Sequence, residues 1–168
     1  MNQVVLFLKD PKAAENYTGK FSVTTLPEAK EPVTVIVDGP LTELAALLQT
    51  KYTYRNIIKE ILFVGGSATC GDVTPCAEKN VYDDAYAAKY VFNSEIPMTV
   101  FPLDVTRDIQ NRTVLPFEYL TNPEKFETEE CGMYVETRSE LCFGKTVCDI
   151  LSDAQFPKHN CKMVKKIR

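Results

Sequence analysis

Tryptophan is absent from this 168-residue sequence, and only one histidine, His159, is present. No two cysteines are separated by just two residues, so the paired ligands typical of a structural zinc site are missing. The sequence contains neither Gly-x-x-x-x-Gly-Lys-Ser/Thr nor Gly-x-Gly-x-x-Gly, which argues against the common phosphate-binding loops. We therefore expect no zinc ion, and we interpret His159 as a surface residue in a polar turn.

Long apolar segments and an excess of positive charge are also missing. No run approaches the roughly 20 apolar residues that cross a membrane, and Val4–Leu8 is too short for a signal sequence. The net charge of -4 is unfavourable for binding nucleic acid or an anionic membrane surface. We expect neither as a partner, and we expect a cytoplasmic location. Six cysteines are then expected to be free thiols, mostly small core residues: Cys70, Cys76, Cys131, Cys142, Cys148 and Cys161.

The remaining composition is that of an ordinary globular protein. Hydrophobic residues make up 45% of the chain and charged residues 25%, close to the averages for such proteins. The length favours a single domain over residues 1–168 with a core of useful size. Residues 1–32 are the hardest to assign, and residues 131–168 are expected to form a C-terminal β unit.

Short apolar runs alternate with helical patterns between residues 33 and 101. Val33–Val37, Ile61–Val64 and Met98–Phe101 have the β-branched and aromatic content of buried strands. Leu41–Gln49 and Asp83–Asn93 carry apolar residues at helical spacing. This alternation predicts an α/β fold with adjacent parallel strands flanked by helices. Further strand candidates are Val4–Leu8, Cys131–Glu136, Thr146–Ile150 and Cys161–Val164.

Five separated segments of the sequence resemble the inosine-uridine nucleoside hydrolase family. They read GPLTELA, ILFVGG, GDVTPCAEKNVYDDAYAA, IPMTVFPLDVT and ETRSELCFGKTVCD, and their order and spacing agree with the family. They span most of this chain but only the later part of a family chain. The resemblance implies a reduced form of the family fold, with a mostly parallel sheet and a small antiparallel unit at the C-terminus.

The resemblance also implies a ribose-binding loop after the second parallel strand. Asp72, Glu78 and Asn80 stand at ribose-contacting positions, although Asp72 replaces an Asn. Lys79 stands where an apolar residue would cover the sugar, and it could pair with Glu78. The alternative is that these are ordinary solvated or capping loop residues. We favour the remnant of a ribose site, with a nucleoside or ribose as its ligand.

A calcium site implied by the same resemblance is only partly matched. Asp10 and Pro11 are what remain of the family's aspartate-rich loop, with Glu15 at its last position, unless they are an unrelated Asp-Pro pair. The Asp38 carbonyl would be a further ligand, although Asp38 and Gly39 also fit a simple turn. Calcium prefers about six to eight oxygen ligands. We therefore expect no bound calcium and no other cofactor; a functional calcium site would use Asp10, Glu15 and the Asp38 carbonyl.

Arg112 and Thr113 align with a His-Asp pair of the family; a shifted alignment would offer Asp108 instead, without a histidine beside it. Arginine cannot act as a general acid near neutral pH, and a neutral threonine is a poor calcium ligand. The favoured interpretation is a catalytically degenerate nucleoside hydrolase-like protein, serving as a structural or binding subunit of a larger assembly. The alternatives are an active, calcium-dependent ribonucleoside hydrolase that cleaves the N-glycosidic bond, and a fragment of a longer product.

Helices that cover the sheet in the family have no counterpart in this sequence. Cover could come from residues 1–32 and from Arg112–Leu120. The apolar residues available there include Leu6, Phe7, Leu8, Phe117 and Tyr119. Because soluble proteins rarely expose apolar patches beyond several hundred square ångströms, we expect a protein partner or a second copy on the face near the former active site. The alternative is that residues 1–32 close the gap.

Overall fold

The computed structural model describes residues 4–8, for which only the backbone is considered, together with residues 32–50, 53–150 and 161–168. The strands are β1 Val4–Leu8, β2 Val33–Asp38, β3 Ile58–Val64, β4 Met98–Phe101, β5 Phe126–Val135, β6 Thr146–Asp149 and β7 Cys161–Ile167. The α-helices are α1 Thr42–Thr50, α2 Tyr54–Ile57, α3 Lys79–Tyr82, α4 Ala85–Phe92, α5 Leu103–Thr106 and α6 Leu115–Thr121, with 3-10 turns at Arg112–Val114 and Pro123–Lys125.

One sheet, in the order β1-β2-β3-β4-β7-β5-β6, organises the described residues. β2 pairs with β3, and β3 with β4, all in parallel. The three strands predicted from the apolar runs are therefore adjacent and parallel, as expected. Their residues are almost completely buried because helices cover both faces of the sheet, which is the usual requirement for parallel strands.

β1 pairs with β2 in the antiparallel direction. Val4 lies opposite Asp38, and Leu8 lies opposite Thr34. The carboxyl end of β1 therefore lies beside the amino end of β2, whereas Asp38 lies at the carboxyl end of β2. The family resemblance implied an aspartate-rich loop directly after this strand, whose candidate residues Asp10 and Glu15 lie outside the described residues, as does His159.

The C-terminal strands continue the main sheet. β7 pairs in parallel with β4 and antiparallel with β5, and β5 pairs antiparallel with β6. The predicted antiparallel strands at the C-terminus are confirmed. β7 joins them to the parallel strands through backbone hydrogen bonds with β4.

The two faces of the sheet carry separate apolar clusters. On one face Val35, Phe63 and Val100 pack with α1 and α4. On the other face Ile36 and Leu62 pack with α6, and this second cluster also contains Phe101, Leu115, Phe117 and Phe126. Phe117, one of the residues expected to cover bare surface, is itself buried. The alternation of neighbours between faces follows from the two-residue period of a strand.

The helix predicted over Asp83–Asn93 is observed as α4, Ala85–Phe92, and it begins two residues later than predicted. A separate short helix, α3 at Lys79–Tyr82, precedes it. Asp84 adopts non-helical dihedral angles, and its carboxylate accepts a hydrogen bond from the Ala87 N–H at 2.9 Å. Side-chain capping of this kind favours the start of a new helix over continuation of the old one.

Cysteines were expected to be mostly core residues, and this is wrong for four of the six. Cys131 and Cys161 are buried, Cys76, Cys142 and Cys148 are half-buried, and Cys70 is exposed. All six are free thiols. Within the described part of the chain, no helix has the length and apolar character needed to cross a membrane.

Candidate functional site

A cavity of about 710 Å³ lies at the carboxyl edge of the parallel strands. Loops that follow β2, β3 and β4 surround it, which is where ligands bind in open α/β sheets. The polar side chains in its lining are those of Asp38, Asp72, Lys79, Asn80, Asp83, Thr106, Arg107, Gln110, Asn111, Arg112 and Thr113.

Glu78 is a buried residue whose carboxylate connects the segments after β3. One carboxylate oxygen, Oε2, accepts hydrogen bonds from the backbone N–H groups of Gly66 at 2.8 Å, Asn80 at 3.0 Å and Val81 at 3.3 Å. Glu78 therefore caps α3 and joins it to the end of β3. Gly66 donates from a backbone with φ of 72°, a conformation that favours glycine.

Glu78 also faces a positive charge. Its side chain is fully buried, and Oε1 lies 3.5 Å from Nη1 of Arg112. Among the described residues, no donor makes a hydrogen bond to Oε1. Burial raises the pKa of Glu78, because desolvation outweighs the opposing effects of the Gly66 and Asn80 N–H groups and the Arg112 charge.

Asp38 is the centre of the polar contacts at the end of β2. Its carboxylate accepts hydrogen bonds from Thr113 Oγ1 at 2.6 Å and from Asn80 Nδ2 at 3.2 Å. Arg112 Nη2 lies 3.5 Å from the same carboxylate. The sequence had pointed only to the carbonyl of Asp38, as a calcium ligand. The signal for its side chain was an acidic residue at the carboxyl end of an apolar strand.

Of the three residues predicted to contact ribose, Asp72 and Asn80 lie in the cavity lining, and Glu78 does not. Asp72 Oδ1 accepts a hydrogen bond from the Lys79 N–H at 2.8 Å. Asn80 also donates through Nδ2 to the Val64 carbonyl at 2.8 Å. Lys79 pairs with Asp83, with Nζ 2.7 Å from Oδ2, so the suggested pairing of Lys79 with Glu78 is wrong. The reason is helical geometry: Asp83 lies one turn from Lys79 on the same face.

Asp104 fixes the loop that follows β3. Its carboxylate accepts hydrogen bonds from the N–H groups of Ala68 at 2.8 Å and Thr69 at 3.0 Å, and from Thr69 Oγ1 at 2.6 Å. Burial acts to raise the pKa of Asp104, but the hydrogen bonds from Thr69 and Ala68 outweigh it, and the pKa is lowered. The loop after β3 is thereby joined to the end of β4.

The described residues of this region do not fit a calcium ion. Calcium requires several oxygen ligands with negative charge, and the Asp38 carboxylate is already in contact with a guanidinium, an amide and a hydroxyl. The Thr113 hydroxyl directs its proton toward Asp38. Among the residues that the structure describes, no group of three or more His, Cys, Asp and Glu side chains could hold a metal ion.

The sequence matches a known protein family. The sequence model of the family described as inosine-uridine preferring nucleoside hydrolase matches residues 5–118. The chain belongs to this family. The fifth resembling segment, residues 136–149, lies beyond the matched residues.

Curated relatives in the family are considerably longer than this chain. The pyrimidine-specific ribonucleoside hydrolase RihA of Shewanella baltica is 32% identical over 164 residues, which cover 73% of this chain and 52% of the relative. The protein of the same name from Photobacterium profundum is 43% identical over 107 residues, covering 62% of this chain and 34% of the relative. The chain therefore spans about half the length, or less, of these two relatives.

Solved structures of nucleoside hydrolases share the fold. The inosine-uridine preferring nucleoside hydrolase from Bacillus anthracis superimposes with a TM-score of 0.71 at 20% identity, covering 83% of this chain and 57% of that one. The purine-preferring ribonucleoside hydrolase from Gardnerella vaginalis gives a TM-score of 0.63 at 21% identity, covering 79% and 55%. The α/β fold with antiparallel strands at its C-terminus is that of the nucleoside hydrolases.

Proposed function

We propose that this chain is a non-hydrolytic member of the nucleoside hydrolase family that serves as a binding or structural subunit. The observation that carries the proposal is the position of Arg112, whose guanidinium lies 3.5 Å from both the Asp38 and the Glu78 carboxylates. A permanent cation of the chain itself thus neutralises the acidic groups at the end of the parallel strands.

Nucleoside hydrolysis requires an activated water, a basic group and stabilisation of the departing base. Arg112 stands where the family resemblance implied a histidine, and an arginine side chain cannot act as a general acid near neutral pH. Thr113 stands where an aspartate was implied, and its hydroxyl donates a hydrogen bond to the Asp38 carboxylate. The antiparallel direction of β1 supports the same conclusion, because its carboxyl end at Leu8 points away from the cavity.

The charges around the cavity favour a neutral, hydroxyl-rich ligand. The lining contains equal numbers of acidic and basic side chains. The carboxylates are those of Asp38, Asp72 and Asp83, and the cations are those of Lys79, Arg107 and Arg112. A phosphorylated ligand would gain little from such a balanced surface, whereas ribose hydroxyls can both donate and accept. We therefore propose ribose or a nucleoside as the ligand, held without cleavage.

A protein partner or a second copy is part of this proposal. Large apolar side chains are exposed on α4 and on the loop between β5 and β6, where Tyr86 is 66% exposed and Leu141 is 86% exposed. Side chains of this size commonly become buried at interfaces. We further propose a cytoplasmic location, which the six free thiols support.

The test measures base release from uridine and inosine by the purified chain, with added calcium and, separately, with a chelator. An active pyrimidine-specific relative serves as the positive control. We expect no release above the uncatalysed rate, together with line broadening or shift of ribose resonances in NMR spectra. Release that calcium supports and a chelator abolishes would instead establish the active, calcium-dependent hydrolase.

A further inference from the structure

Cys76 and Cys142 face each other across two loops that are far apart in the sequence. Cys76 lies in the β3–α3 loop, residues 65–78, which also contains Asp72. Cys142 lies in the β5–β6 loop, residues 136–145. Their Sγ atoms are 2.9 Å apart, although the residues are 66 positions apart in the sequence.

The β3–α3 loop holds Cys76 in place through its own hydrogen bonds. Thr74 Oγ1 accepts hydrogen bonds from the N–H groups of Cys76 at 3.3 Å and Ala77 at 2.9 Å. Gly71 allows the loop to close tightly, since a Cβ there would lie 2.0 Å from the Ala77 carbonyl oxygen. The position of the Cys76 sulfur is therefore set by local structure.

The β5–β6 loop positions Cys142 in a similar way. Ser139 Oγ accepts a hydrogen bond from the Cys142 N–H at 3.1 Å, and Glu136 Oε1 accepts one from the Ser139 N–H at 3.0 Å. Gly144, with φ of 77°, brings this loop against α3: a Cβ at Gly144 would lie 3.0 Å from the Tyr82 Cα. Both sulfurs are half-buried, so a small reagent can reach them.

We propose that Cys76 and Cys142 form a reversible disulfide by exchange with a low-molecular-weight disulfide such as oxidised glutathione. A disulfide requires a sulfur separation of about 2.05 Å, and the observed 2.9 Å leaves a movement of under about 1 Å between two loops. The bond would fasten the β3–α3 loop of the cavity to the β5–β6 loop. This inference does not depend on which ligand the cavity binds.

The exchange proceeds in two balanced steps. The Cys76 thiolate attacks one sulfur of the small disulfide, forms a mixed disulfide, and releases one thiolate. Cys142 then loses its proton to solvent and attacks the Cys76 sulfur, which releases the second small thiolate. Two protein thiols are oxidised, and one small disulfide is reduced to two thiols. The hydrogen bond with Cys76 raises the pKa of the Cys142 thiol, and the same balance of atoms and electrons holds whichever of the two sulfurs attacks first.

Reversibility is consistent with free thiols in the reduced chain. Intracellular disulfides are usually transient and redox-sensing. Cys131 and Cys161 provide a contrast, because both are buried and desolvation raises the pKa of Cys161 to about 12. A thiol that remains protonated exchanges slowly. The 2.9 Å separation of the two sulfurs, and not the acidity of a single thiol, is the reason to expect the Cys76–Cys142 pair to form.

The experiment maps the bond in the intact, wild-type chain. The reduced protein is incubated with oxidised glutathione, remaining thiols are alkylated, and the chain is cut with trypsin and an endoprotease that cleaves before aspartate. These cuts produce the peptides 72–79 and 139–145, each with a single cysteine. We expect these two peptides to be joined and to separate after reduction, and we expect the same result with Cys70→Ser. The Cys142→Ser variant should instead retain glutathione on Cys76.

A second measurement records the consequence for stability. We expect oxidation to raise the urea midpoint of the wild type and of Cys70→Ser, and not to raise that of Cys142→Ser, which carries glutathione on Cys76 without the cross-link. Two results would overturn the proposal. One is that peptides 72–79 and 139–145 remain separately alkylated after oxidation. The other is that disulfides form at random among the six cysteines, without preference for this pair.

Discussion

Replacing Arg112 by methionine tests whether its ion pairs hold the end of the parallel strands together. The guanidinium lies 3.5 Å from Asp38 and from Glu78, and its side chain is 22% exposed. The Asp38 side chain is 14% exposed, and that of Glu78 is fully buried. Methionine preserves much of the side-chain length and removes the charge. Each of the two carboxylates then loses the guanidinium beside it.

The magnitude follows from the distance and the burial. At 3.5 Å and an effective dielectric constant of about 20, each attraction is about 5 kcal/mol before desolvation is considered. Removing one partner of a buried pair costs about 3–5 kcal/mol in measured cases. Because Arg112 is partly exposed and 3.5 Å is a loose contact, we expect a loss of about 3 kcal/mol in the free energy of unfolding.

The loss should depend on pH in a defined direction. Burial raises the pKa of Glu78 above its ordinary 4.5, and the Arg112 charge acts to lower it. A raised acid pKa stabilises the folded state below the ordinary value, and this contribution is lost as the pH rises through the folded pKa. Without Arg112 the folded pKa rises further. The variant should therefore be closest to the wild type near about pH 5 and furthest from it near about pH 8.

Urea unfolding followed by far-ultraviolet circular dichroism measures this difference, since the chain has no tryptophan for fluorescence. Lys125→Met is the matched control, because Lys125 Nζ lies only 2.7 Å from Glu118 but both side chains are exposed. We expect its midpoint to remain nearly unchanged. If Arg112→Met behaves like this control at both pH values, the ion pairs of Arg112 do not stabilise the fold. The position of Arg112 would then no longer support the proposed function.

Three further substitutions test the calcium argument, the loop and the core. Thr113→Asp places a second carboxylate where the hydroxyl is 2.6 Å from Asp38. The urea midpoint of this variant should fall as pH rises, because the two carboxylates repel each other. Recovery of the midpoint in millimolar calcium would show that the site accepts the ion. Gly71→Ala brings a Cβ within 2.0 Å of the Ala77 oxygen, which should cost about 1–3 kcal/mol in urea unfolding; an unchanged midpoint would contradict this. Phe101→Ala removes a fully buried ring and should cost about 3–5 kcal/mol; a loss below about 0.5 kcal/mol, as at surface sites, would contradict the packing.

The sheet could be predicted from the sequence where the pattern was local and repeated. The runs that became β2, β3 and β4 are short, apolar and bounded by turn residues, so their burial and parallel order followed from general rules. The direction of β1 could not be predicted in this way. An apolar run of five residues is compatible with either direction, and only pairing with β2 decides between them.

Helix boundaries were less accessible because they depend on single side-chain contacts. The apolar spacing after Asp84 predicted helix α4, but the predicted start at Asp83 was two residues early. In the structure Asp84 caps α4 and also accepts a hydrogen bond from Thr42 Oγ1 at 2.7 Å. This contact joins the start of α4 to α1, which lies 42 positions earlier, and no local pattern contains it.

In the candidate site, too, residues within one loop could be predicted from the sequence, whereas contacts between distant segments could not. Asp72 and Asn80 were identified because they lie in one loop with a recognisable pattern. The contacts of Asp38 with Thr113 and Arg112 span more than 70 positions, and they depend on α6 and its preceding turn being placed over the end of β2. Because Arg112 also reaches Glu78, one residue links the ends of β2 and β3. Arg112 stands where the resemblance implied a histidine, and it supplies a cation to both carboxylates. Under the proposed function, one side chain therefore accounts both for the missing general acid and for the ion pairs that replace it.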